Sequence, residues 1–284
     1  MKTVDRRALE LFAVEIRKDV IKSISAANSG HPGGSLSAVD YLTYLYNRVL
    51  RVDAKNSKAP DRDRFVLSKG HAAPALYAVL AHKNFFPRED LVTLRQSGSH
   101  LQGHPNMNLT PGVDMSTGSL GQGVSTAAGM AKIAKYLGKD LKVYTLLGDG
   151  EMGEGQVWEA VTFAVHYKLD NLCMALDVNG LQIDGKTSDV MNTAPLDKKF
   201  AAFGCDVIKI DGHNFDELER AFEKFSANSG SGVPTVIIMQ TVKGKGVSFM
   251  ENQVGWHGKA PNAEQTSQAL AELETARKKI EEAA

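Results

Sequence analysis

Five of the eight histidines in the chain lie next to a glycine. The pairs are Gly30-His31, Gly70-His71, Gly103-His104, Gly212-His213 and His257-Gly258. Glycine beside histidine is typical of turns, and in α/β proteins such turns gather at ligand sites beyond the strand ends. Imidazole can donate or accept a proton near neutral pH and can hydrogen-bond hydroxyl or phosphate groups. A single loop histidine is often an ordinary surface residue, so only the group predicts a convergent site.

A second chemical pattern is Gly148-Asp149-Gly150-Glu151, which follows an apolar run and precedes a helical pattern. Its glycines would let backbone N–H groups approach a phosphate at a helix N-terminus. Asp149 would repel a bare phosphate, so it indicates a divalent cation between the two. Mg²⁺ is commonly held by a carboxylate together with substrate phosphates. Asn179 follows the next predicted strand and is expected to supply a second oxygen donor. The Gly-Asp-Gly tripeptide by itself could also be a chance turn.

Alternating helices and strands must position these turns. Apolar residues recur at helical spacing over residues 4–27. Further helices are predicted at residues 37–50, 73–82, 121–137, 156–167 and 215–226, and strands at 64–67, 142–147, 172–178, 207–210 and 235–242. The strands are short, rich in Val, Ile and Leu, and lack strict alternation, which predicts a mostly parallel sheet covered on both faces. We expect one domain over residues 1–262 and a terminal helix or tail over 263–284.

Composition excludes several classes of protein. Lys and Arg total 33 and Asp and Glu total 33, with the signs interspersed, so no basic stripe is available for nucleic acid or anionic lipid. The apolar runs are far shorter than the ~18 residues of a membrane helix, and charges interrupt the first twenty residues, so no membrane or signal segment is predicted. Only Cys173 and Cys205 are present, which favours a reducing cytoplasm over a disulfide framework.

With these motifs in place, the chain resembles the transketolase family. The segments GDGEMGEGQVWEA and LDVNGLQIDG resemble the motif for thiamine diphosphate and its metal ion. The segments SGHPGGSLS, LSKGHAAPALYA, GHP, STGSLGQG and WHG resemble transketolase in particular. The resemblance runs in order from about residue 10 to about residue 260. It implies the thiamine diphosphate-binding fold, an α/β fold with a mostly parallel six-stranded sheet and helices on both faces. The implied activity is transfer of a two-carbon ketol unit from a ketose phosphate to an aldose phosphate.

The resemblance also implies roles for individual residues. The expected metal ligands, for Mg²⁺ or else Ca²⁺ or Mn²⁺, are Asp149, Asn179 and the backbone carbonyl of Leu181. The expected catalytic residues, which face the reacting carbon and the sugar hydroxyls, are His31, His104 and His257. The expected thiamine diphosphate-binding residues are His71, Gly118, Leu120, Gly150, Glu154, Asn179 and His257. Within this set, Glu154 corresponds to a glutamate that links two active sites across a dimer interface. For His213 the resemblance implies no ligand, and we expect a structural role.

Length is the largest departure from the family. Only 27 residues follow His257, whereas a full transketolase is more than twice as long. The resemblance places the glutamate that activates the cofactor, an aromatic pocket and the basic residues for the sugar phosphate in the part not present here. We therefore expect a split transketolase, in which a separately encoded C-terminal subunit completes an α2β2 assembly and this chain alone is inactive. Smaller departures, Ser119 in place of Pro and Val178 in place of a polar residue, remove no expected ligand.

Several alternatives stay open from the sequence. A transketolase-like subunit could act on an unusual ketose, because donor and acceptor specificity lies largely in the missing half. A non-catalytic protein with the thiamine diphosphate fold is the alternative from another class, although Asp149, Asn179 and the histidines are all present. The alpha chain of a 2-oxoacid dehydrogenase and deoxyxylulose phosphate synthase are disfavoured by the turns around His31 and His71. The chain could also be a fragment of a longer protein.

Overall fold

The computed structural model describes residues 3–283. Its α-helices are α1 (Thr3–Ala27), α2 (Pro32–Ser37), α3 (Val39–Tyr44), α4 (Ala73–His82), α5 (Gln122–Tyr136), α6 (Gly155–His166), α7 (Thr187–Val190), α8 (Leu196–Phe203), α9 (Phe215–Ala227) and α10 (Ala263–Glu282). Its strands are β1 (Arg64–Leu67), β2 (Val143–Gly148), β3 (Leu172–Val178), β4 (Asp206–Asp211) and β5 (Thr235–Gln240). All five strands lie within two residues of their predicted bounds.

The strands form one parallel sheet in the order β1-β2-β3-β5-β4. The prediction of six strands is therefore wrong for residues 3–283, which form a five-stranded sheet. Side chains occupy the outer edge of β1: the Asp114 carboxylate accepts a hydrogen bond from Phe65 N–H at 2.8 Å, and the Thr117 hydroxyl donates to the Leu67 carbonyl at 2.7 Å. These bonds satisfy edge groups that a further strand would otherwise pair with.

Helices cover both faces of the sheet, as a parallel sheet requires. Successive strand residues point to opposite faces: Phe65 and Leu67 join one apolar cluster and Val66 the other. The first cluster contains buried side chains of α1, α3, α4, α9 and α10, and the second contains those of α5, α6 and α8. The α/β class and the two-sided covering predicted from the sequence are confirmed.

Two helical regions refine the sequence prediction. The single helix expected at residues 37–50 is divided, because Ala38 N–H bonds three residues back to Ser35 and Leu50 N–H bonds five residues back to Leu45. The terminal helix α10 begins at a capping box formed by Asn262 and Gln265, and buries Ala269 and Leu273 in the cluster that contains α1. The expected domain boundary at residue 262 thus falls at a helix cap, and it stays a prediction.

The carboxyl ends of four strands meet along one edge of the sheet. The turn after β1 carries His71, the turn after β2 carries Asp149, and the turns after β3 and β5 carry Asn179 and Lys243. Since β1, β2, β3 and β5 are consecutive neighbours in the sheet, these turns are adjacent in space. Parallel α/β sheets place their ligand sites at this edge.

Candidate active site

A cavity of about 180 Å³ opens at this edge of the sheet. Seven of the residues predicted from the sequence line it, namely His71, Leu120, Asp149, Gly150, Asn179, Leu181 and His257. They come from five separate turns, so the fold brings together residues as far apart in sequence as His71 and His257. The cavity therefore collects chemical groups from most of the length of the chain.

Four histidines cluster beside the cavity. The ring centroid of His31 lies 5.4 Å from those of His71 and His257 and 6.2 Å from that of His104, and the His71 and His257 centroids are 5.3 Å apart. Gly118 adopts a φ of +153°, and a side chain there would meet the His104 ring at 3.2 Å. The predicted role of Gly118 beside the cofactor is thus accompanied by a packing role against a predicted catalytic residue.

The environment keeps these histidines neutral. Burial, followed by the charges of Arg95 and Lys243, lowers the pKa of His31 to about 4, and burial with Lys243 lowers the pKa of His257 to about 4. Burial also lowers the pKa values of His71 and His104. At pH 7 each ring therefore has one N–H donor and one acceptor nitrogen. The buried Nδ1 of His31 has no hydrogen-bond partner among the described residues, so it is free to bond a ligand.

Asp149 is a buried carboxylate whose charged form a nearby cation would stabilise. It is 4% exposed, and burial, together with the charge of Asp177, raises its pKa to about 6. Backbone N–H groups of Gly150 and Gly180 donate to its two oxygens at 2.8 and 2.6 Å and oppose that rise. The bond from Gly180 holds the turn containing Asn179 against Asp149. A divalent ion beside the carboxylate would stabilise its charged form.

The structure adds two lysines that sequence reasoning missed. Lys69 is buried in an ion pair with Asp177 and also donates to the Gly34 carbonyl at 3.0 Å. Burial alone would raise the pKa of Asp177, but Lys69 and hydrogen bonds from Ser37 and Thr241 outweigh it and hold that pKa below its usual value. Lys69 lines the cavity with its charge already balanced inside the protein.

Lys243 lines the same cavity and is 1% exposed. Its Nζ lies 3.0 Å from Nδ1 of His257, and among residues 3–283 no carboxylate forms an ion pair with it. Burial, with the nearby charge of Lys69, lowers its pKa to about 8. A buried cation without a counterion is costly unless a ligand supplies the negative charge. Lys243 is therefore placed to bind an anion in the cavity.

A buried glutamate ties the turns together. Glu151 is 2% exposed and accepts hydrogen bonds from the Ser68 hydroxyl and from the backbone N–H groups of Gly121 and Gly148, at 2.8 and 3.0 Å for the two backbone bonds. It joins the end of β1, the end of β2 and the start of α5. Burial raises its pKa. This residue belongs to the predicted motif, but no local pattern indicates its connecting role.

Five predicted residues are absent from the cavity lining: His31, His104 and Gly118, which form or adjoin the histidine cluster beside it, and Glu154 and His213. Glu154 is exposed at the start of α6, and its expected role across a dimer interface stays a prediction. His213 lies in the turn between β4 and α9. Its Nδ1 is 2.6 Å from a carboxylate oxygen of Asp40, and its Nε2 accepts a hydrogen bond from Val242 N–H at 2.9 Å.

The sequence did contain signals for the missed residues. Lys69 and Lys243 each lie in a glycine-containing turn shortly after a strand, as the predicted histidines do. Asp177 is a lone carboxylate inside an apolar strand, and such a residue needs a buried partner. What local pattern could not supply was the pairing itself, because Lys69 and Asp177 are 108 residues apart.

The donor set fits a diphosphate with a divalent cation. Lys243 and the neutral histidines offer N–H donors to anionic oxygens, while Asp149, the Asn179 side chain and the Leu181 carbonyl offer oxygens to a hard cation. Among residues 3–283 no three His, Cys, Asp or Glu side chains form a metal-binding group on their own. Asp149, Asn179 and Leu181 offer fewer oxygens than the six ligands that Mg²⁺ prefers, so phosphate oxygens could complete its coordination.

Comparison with known proteins identifies relatives of this site. The family profile "Transketolase, thiamine diphosphate binding domain" matches residues 9–280. A 6-deoxy-6-sulfo-D-fructose transketolase subunit from Clostridium sp. is 46% identical over 91% of this chain and 94% of its own length. One subunit of the apulose-4-phosphate transketolase from Actinobacillus succinogenes is 44% identical over 90% of this chain and 92% of its own length.

Longer relatives match over part of their length. Human transketolase is 41% identical over 94% of this chain, which spans 42% of the human protein. The crystal structure of transketolase from Campylobacter jejuni superposes with a TM-score of 0.87 at 32% identity, covering 96% of this chain and 45% of that one.

No helix within residues 3–283 is long and apolar enough to cross a bilayer.

Proposed function

The chain belongs to the transketolase family through its thiamine diphosphate-binding domain, and on that premise we propose that it is the diphosphate-binding subunit of a two-chain transketolase. Its reaction is transfer of a two-carbon ketol unit from a ketose phosphate, or a ketose with another anionic group, to an aldose phosphate. The observation that carries this proposal is the single cavity that Lys243, which has no carboxylate ion-pair partner among the described residues, shares with Asp149, Asn179 and Leu181.

The residues divide the work of holding the cofactor. Asp149, Asn179 and the Leu181 carbonyl hold Mg²⁺, or else Ca²⁺ or Mn²⁺, and His71, Gly150 and Lys243 bind the diphosphate. Gly118 and Leu120 lie toward the aminopyrimidine. Bound thiamine diphosphate supplies the carbon nucleophile that the protein itself lacks.

His31, His104 and His257 act on the sugar. Being neutral at pH 7, each can donate a hydrogen bond to an oxygen that gains negative charge and accept one from a hydroxyl. The His31 Nδ1 that has no partner within the described residues is the first of these atoms that we expect to contact substrate.

A partner subunit supplies the rest of the active site. Two relatives of nearly the same length are named as transketolase subunits, and single-chain transketolases extend to more than twice the matched region. We propose an α2β2 assembly with a separately encoded C-terminal subunit, located in the cytoplasm. Cys173 and Cys205 are both free and buried, which suits that compartment.

The test is ketol transfer by this chain alone and together with the product of the neighbouring gene, with thiamine diphosphate and Mg²⁺ present. Donors should include xylulose 5-phosphate, apulose 4-phosphate and 6-deoxy-6-sulfofructose, with ribose 5-phosphate as acceptor. We expect activity only in the mixture, and the preferred donor decides between an ordinary and an unusual ketose. Activity of this chain alone would contradict the two-chain proposal, and silence with every donor would favour a non-catalytic protein.

A further inference from the structure

A buried network of charged side chains lies behind the cavity and has no part in the proposed chemistry. Asp40 is 4% exposed. Its carboxylate accepts hydrogen bonds from the Arg17 guanidinium at 3.1 and 2.5 Å and lies 2.6 Å from Nδ1 of His213. Burial alone would raise the pKa of Asp40, but the charge of Arg17 and the hydrogen bonds from His213 and Arg17 outweigh it and lower that pKa to about 2. The three residues come from α1, α3 and the turn before α9.

The outer ends of this network hold the backbone on both sides of Lys243. Nε2 of His213 accepts from Val242 N–H at 2.9 Å, and Nε of Arg17 donates to the Lys245 carbonyl at 3.1 Å. Because Nε2 accepts, the hydrogen on the neutral ring must be on Nδ1, where it points to Asp40. One carboxylate thus fixes, through two side chains, a backbone atom before Lys243 and one after it.

The charge of Lys243 is held less firmly than that of Lys69, because no carboxylate among the described residues pairs with it. Lys69, across the cavity, is held by its ion pair with Asp177. Within residues 3–283, the one hydrogen-bond contact of the Lys243 ammonium is with Nδ1 of His257, at 3.0 Å. The position of this ammonium therefore depends on the backbone that carries it, together with the packing of the lysine stem beside Gly33.

We propose that the Arg17–Asp40–His213 network is a positioning device that holds Lys243 in the cavity before any ligand arrives. A buried ion pair is weak grounds for a purely stabilising role, since apolar residues often serve stability as well. Holding a cationic side chain ready for an anion removes the cost of ordering it on binding. This inference deepens the proposed function, in which Lys243 binds the cofactor diphosphate.

The test measures how readily each lysine is acylated in the ligand-free chain. A small amine-reactive ester is applied at fixed pH, and mass spectrometry follows modification of Lys243 and Lys69 separately. His213→Ala removes the bond to Val242, and Asp40→Asn removes the shared charge. Lys69 is the internal reference, because it is buried in the same cavity and held by a different network.

A matched control comes from a second buried carboxylate, Asp19, which lies on α1. Asp19 pairs with Nε2 of His82 at 2.8 Å and with the Arg88 guanidinium at 2.5 and 2.8 Å. Asp19→Asn therefore breaks the same kind of carboxylate, imidazole and guanidinium network, but neither His82 nor Arg88 bonds the turn that carries Lys243. Any general loosening of the fold should occur in this variant as well.

We expect His213→Ala and Asp40→Asn to speed acylation of Lys243 by roughly tenfold, the effect of losing about one buried hydrogen bond, with Lys69 unchanged. Asp19→Asn should change neither lysine. An unchanged acylation rate of Lys243 in both network variants would overturn the proposal. An equal rise in the acylation rate of Lys69, or the same rise for Lys243 in Asp19→Asn, would overturn it as well. If His213→Ala does not fold, Arg17→Leu, which cuts the bond to Lys245, gives the same comparison.

A second measurement connects the network to the ligand. Thiamine diphosphate affinity with Mg²⁺ is measured for His213→Ala, Lys243→Met and the double variant, in the assembled enzyme. If His213 acts through Lys243, its effect on Kd should vanish in the Lys243→Met background, whereas independent effects would contradict the positioning role. The acylation experiment needs no cofactor, so it tests the positioning role separately from the proposed function. If the network variants acylate Lys243 faster but the wild-type enzyme binds no thiamine diphosphate, the proposed function is refuted and the positioning role stands.

Discussion

Lys69 and Lys243 line the same cavity and are each 1% exposed, but among the described residues only Lys69 has a carboxylate partner. Lys69 is neutralised by Asp177, with Ser37 and Thr241 completing the carboxylate's hydrogen bonds. Lys243 has no carboxylate partner among the described residues and a pKa lowered by burial to about 8. One lysine completes the protein's own core, and the other is left for an anion that comes from outside.

This contrast between the two lysines shows how a site can be stable and still ready to bind. A fully satisfied pair such as Lys69 with Asp177 fixes the ends of β1 and β3 in place. An unsatisfied cation such as Lys243 reduces stability until its ligand arrives, and that cost is recovered on binding. The two lysines should therefore respond differently to substitution.

The largest expected effect is on folding. Asp177→Ala leaves Lys69 buried without a counterion, so we expect the free energy of unfolding to fall by about 3–5 kcal/mol. Urea denaturation with and without the substitution measures the change. A loss below about 1 kcal/mol would mean that the pair does not anchor the sheet edge, and the contrast with Lys243 would no longer hold.

A smaller effect is expected on binding. Lys243→Met removes a charge-assisted contact to the diphosphate, worth about 1.5–3 kcal/mol, so the Kd of thiamine diphosphate should rise about ten- to a hundredfold. The free energy of unfolding should not decrease, because an uncompensated buried charge is replaced by an apolar side chain. Calorimetry on the assembled enzyme and urea denaturation of the chain give the two values. Loss of stability with unchanged Kd would reverse the assignment of the two lysines.

The histidine cluster gives a prediction about acid stability. The folded pKa of His31, lowered chiefly by burial, is about 4, below its usual value of 6.5. As the pH falls from 6.5 to 4 the unfolded chain binds the proton first, so stability present above pH 6.5 is lost across that window. Asp149, with a pKa raised to about 6, has the opposite slope between pH 3.8 and 6. His31→Asn should therefore lose less stability than wild type between pH 7 and 4.5 in urea denaturation, and an equal loss would show that His31 is not held neutral.

The smallest expected effect concerns Arg95, an exposed cation beside the histidines. After burial, its charge is the next largest cause of the lowered pKa of His31 and of His104. Arg95→Gln should raise both pKa values in an NMR titration. His71 serves as the control, because Lys69 is the cation that lowers its pKa most after burial. Equal shifts in all three histidines would indicate a general opening of the site.

The sequence predicted the scaffold better than the contacts. Strands such as Leu172–Val178 were found within two residues, because short apolar runs between glycine turns determine where buried parallel strands begin and end. The count of six strands came from the resemblance and was wrong for the described residues. Asp114 and Thr117 satisfy the edge of β1 from loops, and no periodic pattern marks such bonds.

In the site, residues in short motifs were predicted and residues defined by distant partners were not. His71 and Asp149 lie in glycine-rich turns that are visible locally. The roles of Lys69, Lys243 and Asp177 depend on which strands become neighbours. The observed order β1-β2-β3-β5-β4 places the turns after β1 and β5 around one cavity, and the local sequence does not reveal that order.

The most direct test of the central claim is calorimetric titration of thiamine diphosphate, with and without Mg²⁺, into wild type and Asp149→Ala. Both proteins should first be shown to unfold at similar urea concentrations. We predict Mg²⁺-dependent binding by wild type and none by the variant, because Asp149 carries the buried charge that the ion must meet. Undiminished binding by Asp149→Ala would contradict the assignment of this cavity as the cofactor site.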